Sequence, residues 1–423
     1  MQPPRGTRDL FGTELKSIRH VTEVMRKVFE KYGFNEVETP IFEDVELFTK
    51  KSGSSVVGQL YVFKDKSGRE LALRPELTAP VVRLYIHSLK NLPKPLKLFY
   101  FGPCFRYEEP QANRWRQFTQ SGVEIIGSKS PEADAEVLAL SCEIMESLGI
   151  KFRARVGNVM ILRELLSGCG VDETLQDPIL RAIDSGDGER IRRELTEAGV
   201  EGKNADLVLR ISSIGGKRDV LRSAVSALRD HPGALKAIED LTDIIDRFER
   251  LSPQDIEVDL GIARGLDYYT GFVFEMYSGG IQLAGGGRYD DLVSTLGGPD
   301  TPAVGAGFGV DRTAKIYIDS GGAAPPEAPG VLVLSADEES LERVLRIASD
   351  LRRAGIRTVT DLMGRKLAKA MSYANSAGYD WVIIAGRKEL SEDRVSLKNM
   401  KTGKQTAVSI SRLQAVISET QNL

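Results

Sequence analysis

The eleven residues SGGAAPPEAPG at 320–330 constrain the architecture of this chain more than any other segment. Three prolines fix φ and remove backbone donors, and the Gly and Ala around them have no large side chain to bury. Neither a helix nor a strand can run through such a stretch. The 423 residues are therefore expected to fold as separate domains: 1–320, a linker at 321–329, and a tail domain at 330–423.

The tail alternates. VLVLSA from 331, a helix over 337–354, a strand over 357–360, a helix over 364–377 and WVIIA at 381–385 predict β-α-β-α-β, the pattern of a small α/β domain. It carries 15 basic and 11 acidic side chains, a net +4, against 42 and 49, a net −7, in residues 1–330. A mildly basic domain can meet RNA, although +4 alone is weak support.

The larger part reads as α+β. Ile18, Val21, Met25, Val28 and Phe29 share one face of a helix over 14–33, and a strand runs from Asn35 to Ile41. A helix over 75–89, strands over 97–107 and 116–127 joined by a charged loop, and a helix over 132–148 follow. Residues 173–250 have Leu, Ile, Arg, Asp and Glu at helical spacing and form a helical insertion. Strand character returns at 255–263, 266–277, 281–287 and 303–308, and a helix begins near Val310.

No apolar run approaches the ~18 residues that span a bilayer, and the N-terminal MQPPRGTRDLFG has no apolar signal core. A soluble cytoplasmic protein without membrane attachment is expected. Cys104, Cys142 and Cys169 are too scattered for a disulfide scaffold or a Cys-rich zinc site and look structural. His20, His87 and His231 form no His-x-x-x-His pair, so no protein-held transition metal is expected.

Six segments hold polar residues within apolar surroundings. LRPELTAP at 73–80 sets an Arg and a Glu beside a helix start, where simple capping is one explanation. FRYEEPQANRWRQF at 105–118 places Arg106 among aromatics and Arg114 and Arg116 around a Trp; arginine forks suit phosphates, and a solvated basic loop is the bland alternative. In TQSGVEIIG, alternation puts Phe118, Gln120, Gly122 and Glu124 on one face, either a wet sheet face or the floor of a pocket. ARGLDYYTGFVFE at 263–275 packs Arg264, Asp267, Tyr268 and Tyr269 together. AGGGRYDDL at 284–292 lets backbone approach a ligand closely. AVGAGFGVDR at 303–312 leads small residues into a helix with Arg312 in its first turn. Dinucleotide and Walker fingerprints are absent.

In this order the segments resemble class II aminoacyl-tRNA synthetases. The helix before Pro40 is similar to motif 1, the dimerisation element; Arg106 with its loop is similar to motif 2; the Gly-rich strand ending in Arg312 is similar to motif 3. RGTRD at 5–9, LRPELT, RGLDYYTG and GGGRYDDL narrow the resemblance to the histidyl-tRNA synthetase family, over essentially the whole chain. The resemblance implies an antiparallel sheet flanked by helices in a dimeric catalytic domain, a helical insertion and a C-terminal anticodon-binding domain.

It also implies roles. Glu76, Thr78 and Gln120 would hold the substrate α-amino group, Glu124 and Tyr269 would bracket a neutral imidazole, and Tyr268 and Tyr289 would line the same pocket. Arg106 and Arg264, which also count among the histidine contacts, would carry catalysis at the α-phosphate. Glu108 and Phe118 would take the adenine, and Arg114 and Arg312 the outer phosphates of ATP. Mg²⁺ would be held mainly by those phosphates and not by a protein metal site. Such a ligase joins histidine to the 3′ end of tRNA(His) through a histidyl-adenylate, releasing AMP and pyrophosphate. The acceptor end would meet the motif 2 loop and the anticodon the tail domain. Asn113 and Trp115 depart from the family's usual Gly and Tyr in that loop. A regulatory paralogue of ATP phosphoribosyltransferase shares the fold, but generally lacks the tail domain and part of the arginine set.

Overall fold

A computed structural model describes residues 1–50, 57–109, 115–263, 268–323 and 330–419. They form two compact units, Met1–Ala324 and Pro325–Leu423, each with its own apolar core.

In the first unit the strands are β1 (Asn35–Glu36), β2 (Phe42–Asp44), β3 (Tyr61–Lys64), β4 (Glu70–Leu73), β5 (Leu96–Phe105) and β6 (Gln117–Ile126). They continue as β7 (Arg153–Asn158), β8 (Gly215–Gly216), β9 (Ile256–Asp259), β10 (Phe272–Ser278), β11 (Ile281–Arg288) and β12 (Ala303–Gly309). Among the described residues, nine of them make one sheet, ordered β1-β5-β6-β12-β11-β10-β7-β9-β8. The run from β5 to β7 is antiparallel throughout, while β1 on β5 and β9 on β7 are parallel, so the whole sheet is mixed.

Alternation assigns the two faces. Phe99, Val123 and Ala306 lie in one row across β5, β6 and β12 and point to the core. There Phe29 of helix α1 (Gly12–Lys31) meets Phe99 at 5.4 Å and Phe308 at 5.8 Å between ring centroids. Burying rings of this size contributes about 1.5–3 kcal/mol each. Helices α2 (Thr78–Leu84), α3 (Pro131–Ser147) and α4 (Val159–Gly168) follow, then the insertion helices α5 (Glu173–Ser185), α6 (Gly188–Glu197), α7 (Gly202–Ser212), α8 (Val220–Ala227) and α9 (Pro232–Leu251). Helix α9 packs on α3 and α4, and α1 packs on α10 (Val310–Asp319). The opposite sheet face, carrying Tyr100, Gly122 and Gly307, borders a cavity.

Two expectations change. The strand expected over Asn35–Ile41 pairs with β5 at Asn35 and Glu36 and ends as Val37 N donates to Phe99 O at 2.8 Å; the chain then crosses at Thr39–Pro40 and enters a second sheet, β2-β4-β3. Buried Arg74 holds this crossing: Nη1 donates to Thr39 O at 2.7 Å and Pro40 O at 3.1 Å, and Nε to Pro103 O at 2.8 Å. The helix expected over 75–89 begins at Thr78, because the Glu76 carboxylate accepts from the backbone N–H of Thr78 and Ala79, and it closes in a π-turn at Tyr85–Leu89.

The second unit has strands β13 (Val331–Ser335), β14 (Thr358–Thr360), β15 (Trp381–Ala385), β16 (Arg394–Asn399) and β17 (Gln405–Ser409), ordered β14-β13-β15-β16-β17. The first three are parallel, with helices α11 (Leu341–Arg353) and α12 (Leu367–Ser376) as crossovers. The hairpin β16–β17 adds two antiparallel strands to the expected β-α-β-α-β, with Val395 and Leu397 alternating inward along β16.

Candidate active site

Glycines hollow out the free face of the sheet. Ladder pairing sets Gly305 between Glu124 and Gly287, Gly307 between Gly122 and Gly285, and Gly309 beside Gln120. With no Cβ at Gly122, Gly285, Gly287, Gly305, Gly307 and Gly309, three adjacent strands form a trough, and the cavity over it measures about 1040 Å³ including its open mouth. A Cβ at Gly305 would overlap Glu124 Oε2 and stand 2.5 Å from Val123 O. One at Gly122 would overlap Tyr100 Oη. Those positions exclude any larger residue while the side chains keep their places.

At one end sits Glu124, only 1% exposed. Its Oε1 accepts from Tyr100 Oη at 2.8 Å and its Oε2 from Tyr289 Oη. Burial pushes the carboxyl up to about 8, although both phenols pull it back. Burial, reinforced by Glu124, raises both phenols well above their ordinary range. Glu76 is also buried and raised by desolvation, against its two backbone donors. Capping and cavity lining therefore coincide at Glu76. Tyr268 lies 4.9 Å from Tyr269 and 5.7 Å from Tyr289 by ring centroid, and the Tyr269 ring fills the space a Cβ on Gly287 would need. Gln120 Oε1 accepts from Cys104 Sγ at 3.4 Å. Burial holds that thiol at about 12, which makes it a poor nucleophile.

The other end is cationic. Arg106 follows the last residue of β5; its Nε donates to Pro75 O at 2.9 Å and its guanidinium lies 5.4 Å over the Phe118 ring. Glu108 lines the same wall, and Arg312 reaches it from the first turn of α10, with Nη1 donating to Gln282 O at 3.3 Å. Arg116 does not join them. It is buried, with its Nε on Glu108 O at 3.1 Å and its plane 3.9 Å over Tyr107.

Glu76, Thr78, Arg106, Glu108, Phe118, Gln120, Glu124, Tyr268, Tyr269, Tyr289 and Arg312 thus border one cavity. Arg114 and Arg264 lie outside the described residues. Sequence reasoning missed Tyr100 and the brace behind the cationic end. Register was the signal for Tyr100, since it faces Gly122 across the β5–β6 ladder. The brace is Arg8 of the RGTRD segment, whose Nη2 donates to Asp311 Oδ1 at 2.8 Å while the guanidinium stacks 4.3 Å over Trp115. Asp311 Oδ2 in turn accepts from Thr119 N at 2.5 Å.

Known proteins are similar to this chain in sequence and in fold. A family model described as histidyl-tRNA synthetase matches residues 6–313, and one described as anticodon binding domain matches 330–420. The chain belongs to the histidyl-tRNA synthetase family. Its relatives include the histidine–tRNA ligase of Methanocaldococcus jannaschii, 45% identical over 97% of this chain and 98% of that one. The ligase of Archaeoglobus fulgidus is 41% identical over 99% of both. Among solved structures, the histidyl-tRNA synthetase of Nostoc superposes with a TM-score of 0.80 at 25% identity, covering 99% of both chains. A Bacillus halodurans protein described as an ATP phosphoribosyltransferase regulatory subunit/histidyl-tRNA synthetase reaches 0.78 at 26% identity, over 91% of this chain and 98% of that one. Fold alone therefore does not separate the synthetases from the regulatory paralogue.

Proposed function

We infer that the chain activates histidine with ATP and transfers the histidyl group to tRNA(His), with both reactions run in the glycine trough. The observation that carries this reading is the trough's polarity. Buried carboxyls and phenols stand at one end and arginines at the other, and Phe118 and Glu124 are six strand steps apart, about 20 Å. That length suits an extended aminoacyl-adenylate.

In this reading Glu76, Thr78 and Gln120 take the α-amino group. Glu124, with Tyr268, Tyr269 and Tyr289 around it, takes the imidazole. Arg106 and Arg264 meet the α-phosphate and the substrate carboxylate beside it. Glu108 and Phe118 receive adenine, Arg114 and Arg312 the outer phosphates, and Mg²⁺ arrives on those phosphates. The histidine carboxylate attacks the α-phosphorus and pyrophosphate leaves; the terminal ribose hydroxyl of tRNA then attacks the acyl carbon and AMP leaves. No protein nucleophile is needed, so catalysis is alignment plus arginine charge.

Residues 1–320 serve as the catalytic domain, with the insertion at 173–250, and 330–423 bind the anticodon. Exposed Leu362 and Met363 beside Arg365 and Lys366 are side chains suited to unstacked bases and phosphates. A cytoplasmic homodimer is part of the proposal. Phe42 and Phe63 are 52% and 41% exposed on one face of the β2-β4-β3 sheet with their rings 6.2 Å apart, an apolar patch that a second copy would cover. Pyrophosphate exchange into ATP should require histidine and no other amino acid, and charging should be confined to tRNA(His). Absence of histidine-dependent exchange in folded protein would overturn the reading in favour of the regulatory paralogue.

A further inference from the structure

Behind the tyrosine wall lies a polar network, buried at Asp134 and Arg288 and half-buried at Thr270 and Asp290, whose members do not border the trough. Asp134, in the first turn of α3, and Arg288, the last residue of β11, are 1% and 8% exposed. Arg288 Nε donates to Asp134 Oδ1 at 3.0 Å, and its Nη2 makes a second bond to the same carboxylate. Nη1 reaches Ser128 O at 2.8 Å and Asp290 Oδ1 at 3.1 Å, so the whole guanidinium fork is engaged.

The backbone around this pair is tied to the tyrosines. Thr270 N donates to Arg288 O at 2.8 Å, and Asp290 N donates to Thr270 Oγ1 at 2.8 Å. Asp290 Oδ1 also accepts from Ala303 N at 3.1 Å, and Tyr289 N donates to Ala303 O at 2.8 Å. Both neighbours of Tyr289 are thus anchored, and Thr270 directly follows Tyr268 and Tyr269. Tyr289 Oη meets Glu124 at the far end of this lever.

We propose that Asp134, Arg288 and Thr270 are positioning residues that set the aim of Tyr289 and Tyr269, so that affinity for histidine depends on a network outside the cavity. The inference rests on Glu124 and its tyrosines being the imidazole pocket. Small displacements of a wall built for hydrogen bonding are costly, because the buried carboxyl then loses a partner it cannot replace with water.

Steady-state pyrophosphate exchange on the full chain tests it with four variants. Thr270→Val keeps the side-chain shape and loses the hydroxyl acceptor; it should raise KM for histidine about tenfold, the scale of one lost hydrogen bond, and leave KM for ATP within roughly twofold. Thr270→Ser should restore the histidine KM. Arg288→Lys, which keeps charge without the fork, should reproduce the Thr270→Val pattern and serves if that variant does not fold. Tyr289→Phe separates the two claims. If it leaves histidine KM unchanged, the pocket itself is misassigned. If it raises KM while Thr270→Val and Arg288→Lys do not, or if those two shift both KM values together with melting temperature, the network only supports the fold and the proposal is wrong.

Discussion

Replacing Glu124 with Gln preserves volume and removes the charge, and the buried setting makes its effect depend on pH. The free carboxyl titrates at about 8, so near pH 7 only about a tenth of the protein carries the carboxylate that accepts from a neutral imidazole. Free imidazole loses its own proton near 6.5, and the two ionisations together predict a roughly tenfold rise in kcat/KM for histidine between about pH 7 and pH 8.5. In Glu124→Gln only the imidazole ionisation remains, and the rise shrinks to well under twofold, about 1.3-fold. A lost bond to a buried partner costs ~1–3 kcal/mol, or roughly 10–100-fold, so the variant should be that much weaker near pH 8.5 but within about tenfold of the parent near pH 7. Stability gives an independent check. The folded value lies above the ordinary 4.5, so the native state holds a proton the unfolded chain has released, and stability falls as pH rises from about 4.5 to about 8. The variant should flatten that slope. A variant that keeps the tenfold rise, or a parent with a flat profile, would refute this account of the pocket.

Other outcomes follow from neighbouring geometry. Gly305→Ala places a methyl on Glu124 Oε2 and against Val123 O, so histidine activation should fall more than about tenfold in exchange assays. Arg8→Ala leaves buried Asp311 without its guanidinium, and thermal melting should show a loss of a few kcal/mol, about 3, with KM for ATP raised as Trp115 and Arg312 loosen. Arg264→Ala should lower kcat for adenylate formation by roughly 10²–10³ in pre-steady-state kinetics, with a much smaller change in histidine and ATP binding. A chain ending at Gly330 should still form adenylate while charging tRNA poorly; undiminished charging would remove the tail from tRNA recognition.

Local chemistry in the sequence was enough to determine the elements and the ingredients of the site. The apolar face of α1, the break at 320–330 and the order of the Gly- and Arg-bearing segments depend only on neighbouring residues, and so they are legible. The strand face of Phe118, Gln120 and Glu124 was legible too, but whether it meets water or a cavity was not. That depended on β12, about 180 residues away, laying Gly305 and Gly307 beside it. Tyr100 as a partner of Glu124, Arg74 as a clamp and Arg116 as a buried strut are likewise products of register and chain crossing, whereas the Glu76 cap is local and was legible. The sequence by itself determined which groups were present. Only the tertiary structure decided which were buried together, and burial is what turns a surface carboxylate into one that holds its proton to about 8.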